Sequence, residues 1–172
     1  SNLGNLLRDL GKLKEAELSY RKAIKLDPSY AIAYSNLGSF LRDHGNLKEA
    51  EILQRKAIEL NPASSIAYSN LGSILSDLGK FKEAEISQRK AIELNPNFAD
   101  AHFNLSLIEL AEGKYQNGLE NYEYRLKKNK PTIPHGQTKL ERIDPKEFKP
   151  GEKLLVISEQ GLGDTLQYMR YI

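Results

Sequence analysis

The sequence predicts an all-α stack of helix-turn-helix repeats, followed by a proline-rich linker and one strand-turn-helix that opens an α/β domain. Three observations predict this. A pattern of leucine, glycine, alanine and proline returns every 34 residues through about three quarters of the chain. Each period carries two apolar stripes at helical spacing. Past residue 129 the period stops, prolines cluster, and an aliphatic run leads into a glycine turn.

YSNLGS occurs twice, at Tyr34–Ser39 and at Tyr68–Ser73. Leu3, Leu37, Leu71 and Leu105 keep the 34-residue spacing, as do Gly11, Gly45, Gly79 and Gly113. Ala16, Ala50 and Ala84 share it, with Ala23, Ala57 and Ala91, and with Pro28, Pro62 and Pro96. Within one period, Tyr34, Leu37 and Leu41 form the apolar stripe of a first helix. Ala50, Leu53, Ala57 and Leu60 form that of a second. The small residues Gly38, Ala50 and Ala57 allow two helices to approach closely. Gly45 closes the first helix, as a residue that takes a left-handed conformation at little cost. Pro62 follows the second helix, where its ring cannot extend it. One pair cannot bury both faces, but stacked pairs can, each buried leucine contributing about 1.5–3 kcal/mol.

The period, and its order of Leu-Gly, Gly, Ala, Ala and Pro, resembles the tetratricopeptide repeat. The resemblance implies a right-handed superhelix whose first helices line a concave face. Gln54 and Gln88 stand where that family usually has an aromatic, which Tyr20 and Tyr122 supply. The first of about four repeats is incomplete, so earlier ones are expected. The last one departs: Ser106 replaces the glycine, Gly118 the first alanine and Arg125 the second. Tyr122, Tyr124 and Arg125 read as a junction with the next domain or as a solvent-facing cap.

Asparagine precedes the repeat leucine each time, at Asn2, Asn36, Asn70 and Asn104. Three and seven residues later come Asn5 and Asp9, Ser39 and Asp43, Ser73 and Asp77. These spacings put each trio along one side of its first helix. In the fourth repeat Leu107 and Ala111 end the stripe. An asparagine amide both donates and accepts, as a peptide group does, so a column of them can hold an extended backbone with little regard for its side chains. It resembles the asparagine ladder in the repeat domain of O-linked N-acetylglucosamine transferases, which implies a protein or peptide partner in the groove. The alternative is that the asparagines bond within the superhelix and hold its stacking. The recurrent Lys14, Lys48 and Lys82, with Arg21, Arg55 and Arg89, read as a solvated outer face with weak ion pairs.

Residues 130–152 form the linker, interrupted by Pro131, Pro134, Pro145 and Pro150. Residues 125–153 carry 9 Lys and Arg against 4 Asp and Glu, net +5, whereas residues 1–124 carry 15 against 17, net −2. The basic segment is a solvated linker or, in a third reading, an anion-binding switch. Within 153–172, Lys153–Ser158 reads as a buried strand, and Asp164 begins a helix as its cap. Gly161 and Gly163 form a turn between them that can offer backbone N–H groups to an anion. Leu166 stands where a dinucleotide fingerprint needs its third glycine, and no phosphate-loop lysine is present.

The tail GKYQNGLENYEYR, the proline-rich connector and EQGLGDTLQYMRY together resemble a bacterial family in which tetratricopeptide repeats precede a glycosyltransferase domain related to the heptosyltransferases. The resemblance implies a GT-B fold, two Rossmann-like lobes with a sugar nucleotide between them and no metal. Gly163-Asp164 matches that family's GD, which makes Asp164 the catalytic candidate, a general base for the acceptor hydroxyl; the plain reading of Asp164 is a helix cap. With only about twenty residues of that domain present, the chain is expected to be inactive alone and to need no cofactor. A strand and helix without their sheet expose an apolar face, so this segment is expected to fold back onto the last repeat, to pair with another copy in self-association, or to order poorly.

Several classes are excluded. With no cysteine, disulfides, cysteine-ligated zinc and iron–sulfur clusters are out. The three histidines, His44, His102 and His135, are scattered and suggest no metal site. A net charge of +2 is too small to argue for nucleic acid. The longest aliphatic run, Leu154–Ile157, is far too short to span a membrane. A cytoplasmic protein is expected. Its function reads as a peptide-binding module that recruits protein to a glycosyltransferase, or as a non-enzymatic scaffold.

Overall fold

The computed structural model describes residues 2–127 of the chain. They form eight α-helices in four antiparallel pairs, with no strand among the described residues. The pairs are α1 (Asn2–Asp9) with α2 (Leu13–Leu26), α3 (Ala31–Asp43) with α4 (Leu47–Leu60), α5 (Ser65–Asp77) with α6 (Phe81–Leu94), and α7 (Ala99–Ala111) with α8 (Tyr115–Tyr122). A short 3₁₀ turn, Glu123–Lys127, ends the described chain. α2, α4 and α6 each pack on both their own first helix and the next one, α8 packs on α7, and first helices also touch along the array (α3 with α5, α5 with α7).

The turns depend on one residue each. Gly11, Gly45, Gly79 and Gly113 all have φ between +73° and +79°, a conformation that costs any other L-residue about 1–2 kcal/mol. At the α3 end, Gly45 N–H donates to the Arg42 carbonyl and Asn46 N–H to that of Leu41. These two bonds make a Schellman closure, which satisfies carbonyls the helix leaves open. The pattern repeats at the other three glycines. At the far end of the first three pairs, Asp27, Asn61 and Asn95 accept from the backbone N–H two residues on, folding the proline turns.

The core runs between the helices. Leu37, Leu41, Leu71, Leu75, Ile74 and Leu105 are buried, with alanines 16, 50, 57, 84 and 91 on the second helices. Close approach depends on the small residues the sequence marks. A Cβ at Gly38 would lie 3.0 Å from Gln54 Oε1 and 3.3 Å from the Ala50 carbonyl. At Gly72 it would lie 2.6 Å from Gln88 Nε2.

The fourth pair is built differently. Tyr124 stacks on His102 at 3.7 Å, Tyr122 packs on Phe103 at 5.6 Å, and the Arg125 guanidinium sits 4.4 Å from the Tyr122 ring centre. Arg125 is buried. All three residues are thus tied to α7 or to each other.

Candidate functional site

The first helices join part of the polar stripe across the array. Asn70 on α5 donates through Nδ2 to Ser35 Oγ on α3, at 3.3 Å. Asn104 on α7 donates to Ser73 Oγ on α5, at 3.1 Å. Ser73 Oγ in turn donates to the Ser69 carbonyl. Asp77 accepts from Arg42 Nε at 2.6 Å, an ion pair that joins α5 to α3. Asn36 and Ser39 are half-buried on α3, and Asp43 is exposed at its end. Asn2 and Asp9 are exposed on α1, while Asn5 accepts from the Tyr20 hydroxyl at 2.7 Å. Asn70 and Asn104 therefore bond within the stack, as the structural alternative requires. Each uses one amide proton for it.

Between α5 and α7 this face opens into a recess of about 110 Å³, lined by Arg42, Ser73, Ser76, Asp77, Gln88, Asn104, Leu107 and Ile108. Gln88 reaches it from α6 behind. Its side chain is fully buried, its Nε2 donates to the Ser69 carbonyl at 3.0 Å, and its Oε1 has no hydrogen-bond partner among the described residues. Gln54 repeats the arrangement one pair earlier, donating to Ser35 Oγ and the Ala67 carbonyl with its own Oε1 unpartnered. A buried acceptor without a partner costs about 1–3 kcal/mol. In the sequence these glutamines are departures from the repeat with no evident role. The available signal was a polar residue at a periodic core position, facing a glycine in each case.

Tetratricopeptide repeat models match three stretches of the chain, residues 4–45, 29–97 and 88–120. The chain is a tetratricopeptide repeat protein. Its array is similar to the crystal structure of MamA, at 28% identity and a TM-score of 0.65, covering 74% of both chains. It is similar to YrrB, a tetratricopeptide repeat protein with an unusual peptide-binding site, at 29% identity and 0.62 over 74% of this chain and 66% of that one. It also resembles the first repeat domain of Spaghetti (RPAP3) bound to the HSP90 peptide SRMEEVD, at 29% identity and 0.63 over 65% and 89%. No curated protein matches the sequence.

The opposite face of the tetratricopeptide array carries ion pairs that link successive second helices. Arg21 joins Glu17 to Glu49, and Arg55 joins Glu51 to Glu83. Lys80 and Lys114, at the starts of α6 and α8, reach back to Glu51 and Glu85 at 2.8 and 2.9 Å. The Lys80 ammonium, helped by Arg55, holds the Glu51 carboxyl below its usual range against a partial burial that opposes it. Lys114 and Arg89 do the same to Glu85. Arg89 also pairs at 2.7 Å with Glu109, which is fully buried on α7 and accepts from Asn121 at 2.8 Å. These arginines therefore cross-link repeats, a larger role than the solvated face read from sequence.

No cluster of three or more histidine, cysteine or acidic residues able to hold a metal occurs among the described residues. Nor, among them, is any helix long and apolar enough to cross a membrane. His102 is taken up within the fourth repeat, Nδ1 2.7 Å from Asn121 Oδ1 and Nε2 3.0 Å from the Pro96 carbonyl. Asp164, Gly161, Gly163, the proline-rich linker and the strand at Lys153–Ser158 lie outside the described residues.

Proposed function

We propose that the first-helix face binds an extended segment of a partner protein. The observation that carries this reading is the unsatisfied capacity of its amides. After their bonds to serine, Asn70 and Asn104 each keep one amide proton and the carbonyl oxygen, the donor and acceptor that a peptide backbone offers in reverse. Ser39, Ser73 and the Arg42–Asp77 pair flank them on the same face, with Asn36, Asp43 and Asn2 continuing the stripe. Peptide binding by YrrB and by the Spaghetti domain supports the reading.

The test selects a heptapeptide from a randomised library against the 172-residue chain and measures its affinity by fluorescence polarisation. Replacing Asn36 and Asn70 together by alanine is expected to weaken binding at least tenfold, with circular dichroism unchanged. A change within twofold would assign the asparagines to packing alone.

In the finer reading, the module recruits protein to a sugar-nucleotide-dependent glycosyltransferase in the cytoplasm, with Asp164 as general base and the Gly161–Gly163 turn facing the donor phosphates. The motif EQGLGDTLQYMRY supports it. Asp164→Asn in a protein carrying the whole transferase domain is expected to abolish transfer and leave peptide binding intact. The 172-residue chain alone is expected to turn over no sugar nucleotide and to self-associate through residues 153–172, which sedimentation velocity would read. The competing scaffold reading gains if transfer survives that substitution.

A further inference from the structure

Three residues that break the 34-residue period in the fourth repeat bond to one another. His102 stands where the two preceding repeats have Tyr34 and Tyr68, Glu109 where they have Leu41 and Leu75, and Asn121 where they have Leu53 and Ser87. His102 and Glu109 are buried. His102 Nδ1 lies 2.7 Å from Asn121 Oδ1, and Nε2 lies 3.0 Å from the Pro96 carbonyl oxygen. Asn121 Nδ2 donates to Glu109 Oε2 at 2.8 Å, and Arg89 holds the other oxygen, Oε1, at 2.7 Å. The Tyr124 ring lies flat on His102, with centres 3.7 Å apart and planes 10° from parallel.

These bonds count protons. A neutral imidazole has one N–H and one bare nitrogen, whereas an imidazolium has two N–H groups. The Pro96 carbonyl can only accept. Asn121 is oriented by Glu109, because turning its amide over would set an oxygen 2.8 Å from the carboxylate. Both ring nitrogens therefore face acceptors. A neutral ring satisfies one of them and sets a lone pair against the other; a doubly protonated ring satisfies both. The buried positive charge has its counterpart in Glu109, one amide away, and an aromatic face on Tyr124. The other charges packed around the ring are Asp100 on α7, Arg89 on α6, Lys114 on α8, and the turn's Glu123, Arg125 and Lys127. Arg89 is engaged by Glu85 and Glu109, Lys114 by Glu85 and Glu112, and Arg125 by Glu123. Lys127 Nζ lies 4.3 Å from the Tyr124 ring centre.

We propose that the His102–Asn121–Glu109 network is a pH-sensitive latch, in which a doubly protonated His102 ring docks the turn Glu123–Lys127 on α7 and releases it as the pH rises. Loss of one proton leaves the oxygen of Asn121 or of Pro96 against a bare nitrogen, and it removes the charge beneath Tyr124. The direction follows from the proton count. The folded chain keeps a proton that an unfolded histidine gives up near pH 6.5, about its ordinary value. The stability that the latch contributes is therefore fully present below that pH and is lost as the pH rises through the titration of the folded ring.

The experiment uses the 172-residue chain with ¹⁵N-labelled histidine, carrying His44→Gln and His135→Gln so that His102 is its only histidine. A long-range ¹⁵N–¹H spectrum reads both ring nitrogens. At about pH 7.5, where an unfolded histidine is mostly neutral, both nitrogens are expected to carry protons. The Tyr124 ring resonances are expected to move as the ring titrates at higher pH. The unfolding constant in urea should rise at least about threefold between about pH 6.5 and 8, through the one proton released. His102→Phe keeps an aromatic ring against Tyr124 and cannot titrate, so it should abolish that rise. The ring spectrum decides by itself if this variant fails to fold. A bare ring nitrogen at about pH 7.5 would overturn the latch. So would Tyr124 resonances that stay still while the ring titrates, or a rise in the unfolding constant that survives in His102→Phe.

Discussion

The two faces of the array use the same 34-residue period for opposite ends. On the second-helix face the charges are committed. Glu51 and Glu85 each bind two cations, and Arg21, Arg55 and Arg89 each join two carboxylates. On the first-helix face Asn70 and Asn104 use only part of their bonding capacity, and among the described residues a single ion pair, Arg42–Asp77, joins first helices. Repetition alone thus does not make a binding surface. A face becomes one where the copied residue still has bonds to give.

The sharpest way to test that contrast is at two arginines in equivalent positions. Arg89 supports a carboxylate on Glu109 that is fully buried, whereas Arg55 pairs with Glu83, which is half exposed, and with Glu51, which keeps Lys80. Arg89→Ala leaves Glu109 with Asn121 alone, and stranding a buried charge is strongly destabilising. A loss of about 2–4 kcal/mol in urea unfolding is expected, against about 0.5 kcal/mol for Arg55→Ala. Equal losses would mean that water or a rearranged side chain takes the place of Arg89 at Glu109.

Glu109 also marks where the sequence is legible and where it is not. The pairs, their turns and the glycine contacts were legible because each depends on one residue type at a fixed offset: Gly45 at a positive φ, Gly38 under Gln54. The period puts Asn70 and Asn104 at equivalent places on their helices, but their bonds to Ser35 and Ser73 depend on the offset between neighbouring first helices. A period does not encode that offset. Glu109 holds the position that Leu41 and Leu75 fill in earlier repeats. A carboxylate at a periodic core position is a readable signal, yet its partner Arg89 was not predictable. In the two preceding repeats that arginine faces the next second helix instead.

A smaller effect should appear with acid. The folded pKa of Glu51 and of Glu85 lies below the unfolded value of about 4.3. The folded state therefore binds fewer protons, and the stability these groups contribute is fully present above that value. It is lost as the pH falls through the lowered folded pKa. Melting temperature is expected to drop below about pH 4.5, and less steeply in Lys80→Gln, where the first cation on Glu51 is gone. Identical slopes would locate the acid sensitivity elsewhere.

The smallest expected change in stability separates two serines at equivalent positions on the first-helix face. Ser73 Oγ accepts from Asn104 and donates to the Ser69 carbonyl, so it ties α7 to α5. Ser39 is half-buried and makes no side-chain hydrogen bond among the described residues. Ser73→Ala is expected to destabilise by about 1 kcal/mol, the net worth of an ordinary hydrogen bond. Ser39→Ala should stay within about 0.5 kcal/mol, as a substitution away from such contacts does. Peptide affinity, read by polarisation, should fall for both. If Ser39→Ala leaves stability and affinity alike untouched, the proposed binding surface is confined to the recess between α5 and α7, and the second repeat contributes only Arg42 at its rim.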